Sequence, residues 1–311
     1  MNENISADNE LPDGHRSGFV AVIGRPNAGK STLMNAFLDD KIAIVTPRPQ
    51  TTRSRQLGIY TTDTEQIVFI DTPGIMKPRH KLDEYMVEVA TESLESADVV
   101  LWLVDASDPI GKGDRVIAEK LAKLDESIPI ILAMNKSDLL KPEQVIQQTE
   151  AYQALLPRAQ WILFSALKGN GRNELRNLII KSLPEGPRFY PADQITDVYM
   201  RDMAAEFIRE QIFLQLRDEI PYAIAVQVID FKERDNGTTY ISANIYVERD
   251  NHKRILIGNK GSQLKKLGAA SRKELETLVE GKVFLELWVK VEPKWRQNEK
   301  ALRRLGYQKM E

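Results

Sequence analysis

The amino-acid sequence predicts an α/β domain on a mostly parallel, doubly wound sheet, followed by a smaller α+β domain. Three observations carry this. Short β-rich runs alternate with helical patterns as far as Leu183, the grammar of a parallel sheet covered on both faces. The stretch LPEGPRFYPA, Leu183–Ala192, then holds three prolines and a glycine and cannot continue a helix. Beyond it the pattern changes to helix, two neighbouring strands, helix and strand. A chain of 311 residues also exceeds the usual single-domain size. The expected division is a tail over residues 1–17, the α/β domain over 18–184, a linker over 185–196 and the α+β domain over 197–311, closed by a basic helix.

Taken in order, GFVAVIG at Gly18–Gly24 predicts a buried strand and Lys30–Leu38 a helix. Strands follow at Gln66–Ile70, Val99–Val104, Pro129–Met134 and Trp161–Phe164. Helices are spaced between them at Leu82–Ala97, Asp114–Leu124, Pro142–Leu155 and Arg172–Leu183. In the second part Asp197–Glu219 has the spacing of a long amphipathic helix. Ala223–Phe231 and Thr239–Val247 are strands joined by a turn at Arg234–Gly237. The apolar Ile255–Ile257 leads into GNKG, Gln263–Val279 is helical, Val283–Val291 is a strand, and Lys294–Leu305 is the basic closing helix.

Composition excludes several classes of protein. With 42% hydrophobic and 28% charged residues there is material for two ordinary cores. The absence of cysteine rules out disulfides and thiolate metal sites and fits a reducing cytoplasm. No apolar run approaches the roughly 18 residues of a spanning helix, and the polar start resembles neither a signal nor a transit peptide. The net charge of −2 conceals an asymmetry. From His252 to Glu311 there are 15 Lys and Arg against 7 Asp and Glu, a net of +8, which leaves −10 for the residues before. A basic end on an acidic body is either a solvated surface or the place where a polyanion binds.

Residues Gly24–Ser31, GRPNAGKS, match G-x-x-x-x-G-K-[ST] between a strand and a helix. Glycines let the backbone curl so that successive N–H groups face phosphate oxygens, and the helix N-terminus adds a favourable dipole. Lys30 is expected to reach the terminal phosphates and Ser31 to hold Mg²⁺. DTPG, Asp71–Gly74, ends a strand, where the carboxylate can hold Mg²⁺ through a water and the Gly74 amide can bond the terminal phosphate. Between them Thr46–Arg55, TPRPQTTRSR, has no regular pattern. Thr51 and Thr52 are both candidates to complete the metal shell, with Thr52 preferred. A loop ordered by that phosphate would be a switch.

NKSD, Asn135–Asp138, follows an apolar strand. The Asp138 carboxylate can accept from guanine N1–H and N2–H₂. Adenine lacks that donor pair, so a buried carboxylate would be left unpaired, worth roughly 10⁴-fold in discrimination. Asn135 can bond the base or brace the phosphate loop, and the Lys136 stem can lie along the ring. Ser165–Ala166–Leu167 follows the next strand, where the Ala166 amide could meet guanine O6.

At the other end, ILIGNKG at Ile255–Gly261 carries a G-x-x-G ahead of a helix with Lys265 and Lys266. Such a loop lets the backbone approach a nucleic-acid backbone closely. In VFLELWVKVEPKWRQN, Trp288 falls on the strand pattern and is expected in the core. Trp295, beyond the strand and among Lys290, Lys294 and Arg296, is expected to be exposed.

GRPNAGKST, the PRPQTTR loop, DTPG, NKSD and SAL resemble the five guanine-nucleotide motifs of the Era family of GTPases, and the likeness runs nearly end to end. The resemblance implies an α/β P-loop GTPase domain followed by an α+β KH domain in the type II order. It implies GTP or GDP bound by Arg25, Pro26, Asn27, Ala28, Gly29, Lys30, Ser31, Thr32, Asp71, Gly74, Asn135, Lys136, Asp138, Ser165, Ala166 and Leu167. Mg²⁺ would be held by Ser31, Thr52 and Asp71, and Lys30, Thr52 and Gly74 would act in slow hydrolysis. Asn27 resembles an asparagine that binds K⁺ in related GTPases. Ile75 stands where Ras-like proteins place a water-orienting glutamine, so water would be positioned by backbone, switch loop or a partner. RNA would meet Ile257, Gly258, Asn259, Lys260, Gly261, Lys265, Lys294, Trp295 and Arg296. The partner so implied is the 3′ region of 16S ribosomal RNA in the 30S subunit during its assembly. The protein is then expected to be a monomer, cytoplasmic, and peripheral on the inner face of the cell membrane.

Overall fold

The computed structural model describes residues 12–46, 48, 51–74 and 78–307. The first domain runs β1 (Arg16–Ile23), α1 (Lys30–Leu38), β2 (Gln56–Thr61), β3 (Glu65–Asp71), α2 (Lys81–Glu95), β4 (Val99–Asp105), α3 (Lys112–Leu121), β5 (Ile130–Asn135), α4 (Pro142–Gln153), β6 (Gln160–Leu163) and α5 (Arg172–Ser182). Its six-stranded sheet has the order β2-β3-β1-β4-β5-β6. All neighbours are parallel except β2, which runs antiparallel to β3. The alternation of strand and helix therefore gives the doubly wound sheet expected. β4 is buried at every position, as a central strand covered on both faces must be.

β2 carries no signal strong enough to predict. Leu57 and Ile59 pack with Val68 and Ile70 in a small cluster. Gly58 between them is a glycine because α1 lies directly against it: a Cβ there would meet Leu38, Met34 and Ile42 side chains at 2.9–3.1 Å. A six-residue strand interrupted by glycine shows little alternation.

The second domain runs α6 (Met200–Gln215), β7 (Ile224–Glu233), β8 (Thr238–Val247), α7 (Asp250–Ile257), α8 (Ser262–Leu278), β9 (Lys282–Val291) and α9 (Glu299–Arg304). β7 and β8 are antiparallel, and β8 and β9 are parallel. A parallel pair needs a crossover, supplied here by α7, the GNKG turn and α8. α7 is longer than its apolar end suggested, since Asp250–Arg254 are polar. The closing helix is shorter. A 3₁₀ turn occupies Trp295–Gln297, and α9 begins only after Asn298, whose side chain accepts from the Lys300 and Ala301 amides.

Two boundaries shift. Arg16 and Ser17, placed in the tail, pair with Glu65 and Gln66 as the first residues of β1, and His15 Nδ1 bonds Gly186 O at 2.8 Å. Residues 1–11 of that tail lie outside the described residues. The linker does not hang free either. Ile59 N donates to Ile195 O (2.8 Å), Thr196 Oγ1 to Leu57 O (2.7 Å) and Leu57 N to Asp197 Oδ1 (2.9 Å). Gln66, fully buried on β3, accepts from the Phe189 and Tyr190 amides. No helix among the described residues is long and apolar enough to cross a membrane.

The two tryptophans exchange their expected roles. Trp288 is 58% exposed, because the side chains of β9 that join the core under α8 are the odd-numbered ones. Trp295 is fully buried. Its Nε1 donates to Ala223 O at 3.0 Å, and it packs with Leu82 and Met86 of α2 from the first domain and with Ala225, Tyr246, Ala301 and Leu302 from its own. Trp295 is thus a keystone between domains. Trp295→Ala is expected to cost roughly 3–5 kcal/mol of stability, against less than about 0.5 kcal/mol for Trp288→Ala on the surface. Denaturant unfolding of the two variants checks the order.

Candidate nucleotide site and RNA-binding end

The carboxyl ends of β1, β3, β5 and β6 lie along one edge of the sheet, and the four predicted motifs follow those ends. This is where open parallel sheets place ligands. Gly24 closes β1 so near to β4 that a Cβ would lie 2.2 Å from Leu103 O. Gly29, at φ 102°, leaves room for the Asn135 side-chain amide, which a Cβ would meet at 2.3 Å. That amide donates to Ala28 O at 2.8 Å, while Asn135 Oδ1 accepts from the Ala166 and Lys136 amides at 2.9 and 2.8 Å. Of the two roles open to Asn135, the structure shows the brace: one buried side chain ties the phosphate loop, NKSD and SAL together. The Ala166 amide, proposed to meet guanine O6, is here engaged by that brace.

One cleft is lined by Pro26, Asn27, Gly29, Lys30, Ser31, Thr32, Thr46, Thr51, Thr52 and Gly74. At its floor Lys30 is 7% exposed and donates from Nζ to the Gly24 and Arg25 carbonyls at 3.3 and 3.2 Å. Burial lowers its pKa, opposed by the nearby Asp71 carboxylate. Burial raises the pKa of Asp71, which is completely enclosed, opposed by Lys30 and by hydrogen bonds from Ser31 and Thr52. A terminal phosphate beside Lys30 and a metal ion beside Asp71 would relieve this reciprocal tension.

Ser31 Oγ donates to Asp71 Oδ2 at 3.0 Å, Thr52 Oγ1 donates to the same oxygen at 3.1 Å, and the two hydroxyls are 3.2 Å apart. An octahedral Mg²⁺ with bonds of about 2.1 Å spaces adjacent direct ligands by roughly 3.0 Å, close to the separation of the two hydroxyls. All three donors are hard oxygens, and Asp71 Oδ1, buried, finds no hydrogen-bond partner among the described residues. The group fits Mg²⁺. Thr51 is turned elsewhere, its hydroxyl against Thr46 Oγ1 (2.9 Å) and Arg48 O (3.0 Å). Gly74 stands against the Pro26 ring, which a Cβ would meet at 2.9 Å.

Other predicted residues take different stations. Arg25 gives the cleft its backbone carbonyl, but its guanidinium points to α3, where Nε is 3.0 Å from the buried Asp114. Lys136, at φ 64°, pairs with Asp105 at the end of β4. Asp138 is exposed on a 3₁₀ turn and Leu167 is 75% exposed, both open to an incoming base. Ser165 is buried and accepts the Lys168 amide at 3.0 Å. Ile75 lies outside the described residues.

At the basic end Gly258, Lys260 and Gly261 have φ of 73°, 49° and 81°, and α8 starts at once. A Cβ on Gly258 would lie 2.7–2.8 Å from Gln263 Cβ and N, so this glycine is required by close approach. Ile257 is half-buried, while Asn259 and Lys260 in the turn and Lys265 on the surface of α8 are exposed. Lys294 is exposed as well. Trp295 and Arg296 do not belong to that surface. Arg296 pairs with Glu248 (2.5 Å), and its Nη1 lies 3.2 Å from Nε2 of His80, which caps α2 of the first domain. A cluster of basic residues around a tryptophan looks alike whether it faces RNA or a neighbouring domain.

Sequence reading missed Arg53, Arg209 and Glu210. All three are buried, and all three bridge the domains.

A family model described as 50S ribosome-binding GTPase matches residues 19–136, and one described as KH domain matches residues 219–296. The GTPase Era of Halothermothrix orenii is 47% identical over 293 residues, covering 94% of this chain and 99% of that protein. That of Clostridium botulinum strain Alaska E43 is 46% identical over 294 residues, with the same coverage. Two solved structures each superpose with a TM-score of 0.90 at 40% identity, over 94% of this chain and 99% of theirs. One is Era in complex with MgGDPNP and nucleotides 1506–1542 of 16S ribosomal RNA, and the other is a variant of Aquifex aeolicus Era bound to GDP.AlF4-. With both domains matched in order and nearly the whole length shared, the chain belongs to the Era family of GTPases.

Proposed function

We propose that this protein is a Mg²⁺-dependent GTPase switch whose KH domain binds unpaired RNA near the 3′ end of 16S ribosomal RNA during small-subunit assembly. The observation that carries the reading is the meeting of Ser31, Thr52 and Asp71 oxygens beside the buried Lys30, at the end of a sheet whose base-reading loop is tied to the phosphate loop by Asn135. Solved Era with MgGDPNP and a 16S ribosomal RNA segment supports both halves.

Lys30 and the phosphate-loop amides hold the β- and γ-phosphates, and Gly74 N–H bonds the terminal one. Ser31 and Thr52 directly, and Asp71 through a water, would hold Mg²⁺, which would neutralise charge on the phosphate oxygens. Asp138 reads the guanine edge, and the Lys136 stem lies along the ring once it leaves Asp105. Water attacks the γ-phosphorus, the bond to the β–γ bridging oxygen breaks, and GDP and phosphate remain. With Ile75 in place of a water-orienting glutamine, intrinsic turnover is slow. Lys260 and Lys265 supply the charge, and Asn259 a neutral amide, that a nucleic-acid backbone meets over the turn, whose glycines permit its close approach.

Asp138→Asn replaces an acceptor by a donor. Calorimetric titration is expected to show preference moving from guanine toward xanthine nucleotides; unchanged GTP preference would remove Asp138 from the base site. Lys260→Glu reverses a charge without disturbing the strained glycines. RNA affinity is expected to fall about tenfold or more with GTP affinity unchanged, measured on a single-stranded oligonucleotide of the 16S 3′ region. Asn27 stands on the cleft rim with φ 66°, where family resemblance places a K⁺ ligand. Hydrolysis is expected to run faster in K⁺ than in Na⁺, and equal rates would remove that role.

A further inference from the structure

The switch loop between α1 and β2 is held from behind by the second domain, at both of its ends. At the entry Lys41 Nζ donates to Glu210 Oε2 (2.6 Å) and Glu274 Oε2 (2.8 Å), and Val45 N donates to Glu210 Oε1 (2.9 Å). At the exit Arg209, the neighbouring residue on α6, donates from Nη2 to Thr51 O and is itself held by Glu206. Arg53 sends its guanidinium into the second domain. Nη1 donates to Ile224 O (2.6 Å), and Nη2 donates to Tyr222 O (3.0 Å) and Pro221 O (3.3 Å). Arg209, Glu210 and Arg53 are 0%, 3% and 3% exposed. Thr51, Thr52 and Arg53 are consecutive. The outer two are fastened to the second domain, and the middle one turns its hydroxyl to Ser31 and Asp71.

Hydrogen bonds to buried charges are among the stronger ones, and breaking one strands an ion away from water. Any conformation that carries Thr52 away from Asp71 must drag these anchors with it or break them. A loop already fastened at both ends also loses less freedom when its middle residue is ordered. We propose that α6 positions the switch loop for GTP hydrolysis: Arg209 and Glu210, with Arg53 docked on residues 221–224, are positioning residues that keep Thr52 within reach of the metal site. The inference rests on the reading of Thr52 as a Mg²⁺ ligand.

The phosphate loop and the base-reading loops are braced through Asn135 rather than through α6. GDP affinity should therefore be independent of the anchors. The test uses the full-length chain, with Mg²⁺ titrated at saturating GTP. Arg53→Ala and Glu210→Ala are expected to lower kcat about tenfold and raise the Mg²⁺ concentration for half-maximal rate, with GDP affinity within about twofold of the parent. Thr52→Ala should show the same split, and Thr52→Ala combined with Arg53→Ala should lose no more than Thr52→Ala alone, since both act through one hydroxyl. Should Arg53→Ala fail to fold, Arg53→Lys replaces it. An ammonium is a single nitrogen and cannot reproduce the fork by which Nη1 and Nη2 reach different carbonyls, and a loss of about threefold is expected. Parental kcat and Mg²⁺ dependence in whichever Arg53 variant folds overturns the proposal, as does a matching loss of GDP affinity. Parental behaviour of Thr52→Ala instead overturns the underlying metal-ligand reading.

Discussion

A guanidinium cannot be taken out of water without acceptors to receive its protons, and Arg53 is almost completely enclosed. Its own domain does not provide the carbonyls it uses. They come from the 3₁₀ turn at Ile220–Ala223 and the start of β7, some 170 residues further along the chain. The indole of Trp295 lies 5.9 Å from the same cation and belongs to one buried cluster with Leu82 and Met86 of α2. The two domains are therefore not independent modules on a tether. They share one buried seam, which takes in Lys41, Val45, Thr51 and Arg53 together with α2 of the first domain.

The nucleotide end obeys a related constraint at shorter range. Four loops from four strands must arrive at one place, and glycine is present where a Cβ would collide with a neighbour: Gly24 with the Leu103 carbonyl of β4, Gly29 with the Asn135 side chain, Gly74 with the Pro26 ring. Asn135 converts this proximity into fixed geometry, because both ends of its amide are bonded to different loops. Lys30 and Asp71 then face one another with their charges only partly compensated. Rigidity in the frame and unrelieved charge in the centre are the two properties that an anionic ligand with a divalent cation can exploit.

The nucleotide motifs were legible because each is a short contiguous string whose meaning depends on the strand before it and the helix after it. The long, periodic elements were legible for the same reason. Interactions between distant residues were not. Arg53 reads as one more basic residue in TPRPQTTRSR, and Arg209–Glu210 as the middle of an amphipathic helix; only the folded chain shows that both are enclosed. Periodicity also states which residues share a face without saying what will cover it. That ambiguity placed Trp288 of β9 inside, and Trp295, in the turn beyond the strand, outside, the reverse of what is found. β2 was hidden by the glycine that lets α1 pack against it, and α7 by its polar first turn.

The way the connecting segment lies along β2 has a consequence for behaviour at high concentration. β2 is the outermost strand on its side of the first sheet, and an outermost strand presents unpaired amides and carbonyls to any other chain that drifts by. Here the Ile59 amide and the Leu57 carbonyl are already satisfied by Ile195 and Thr196, and Gly58 bridges to Thr196. The opposite margin, β6, is only four residues long. The polypeptide that joins the domains thus also seals the flank most open to edge-to-edge aggregation, and lengthening or loosening it would expose that flank.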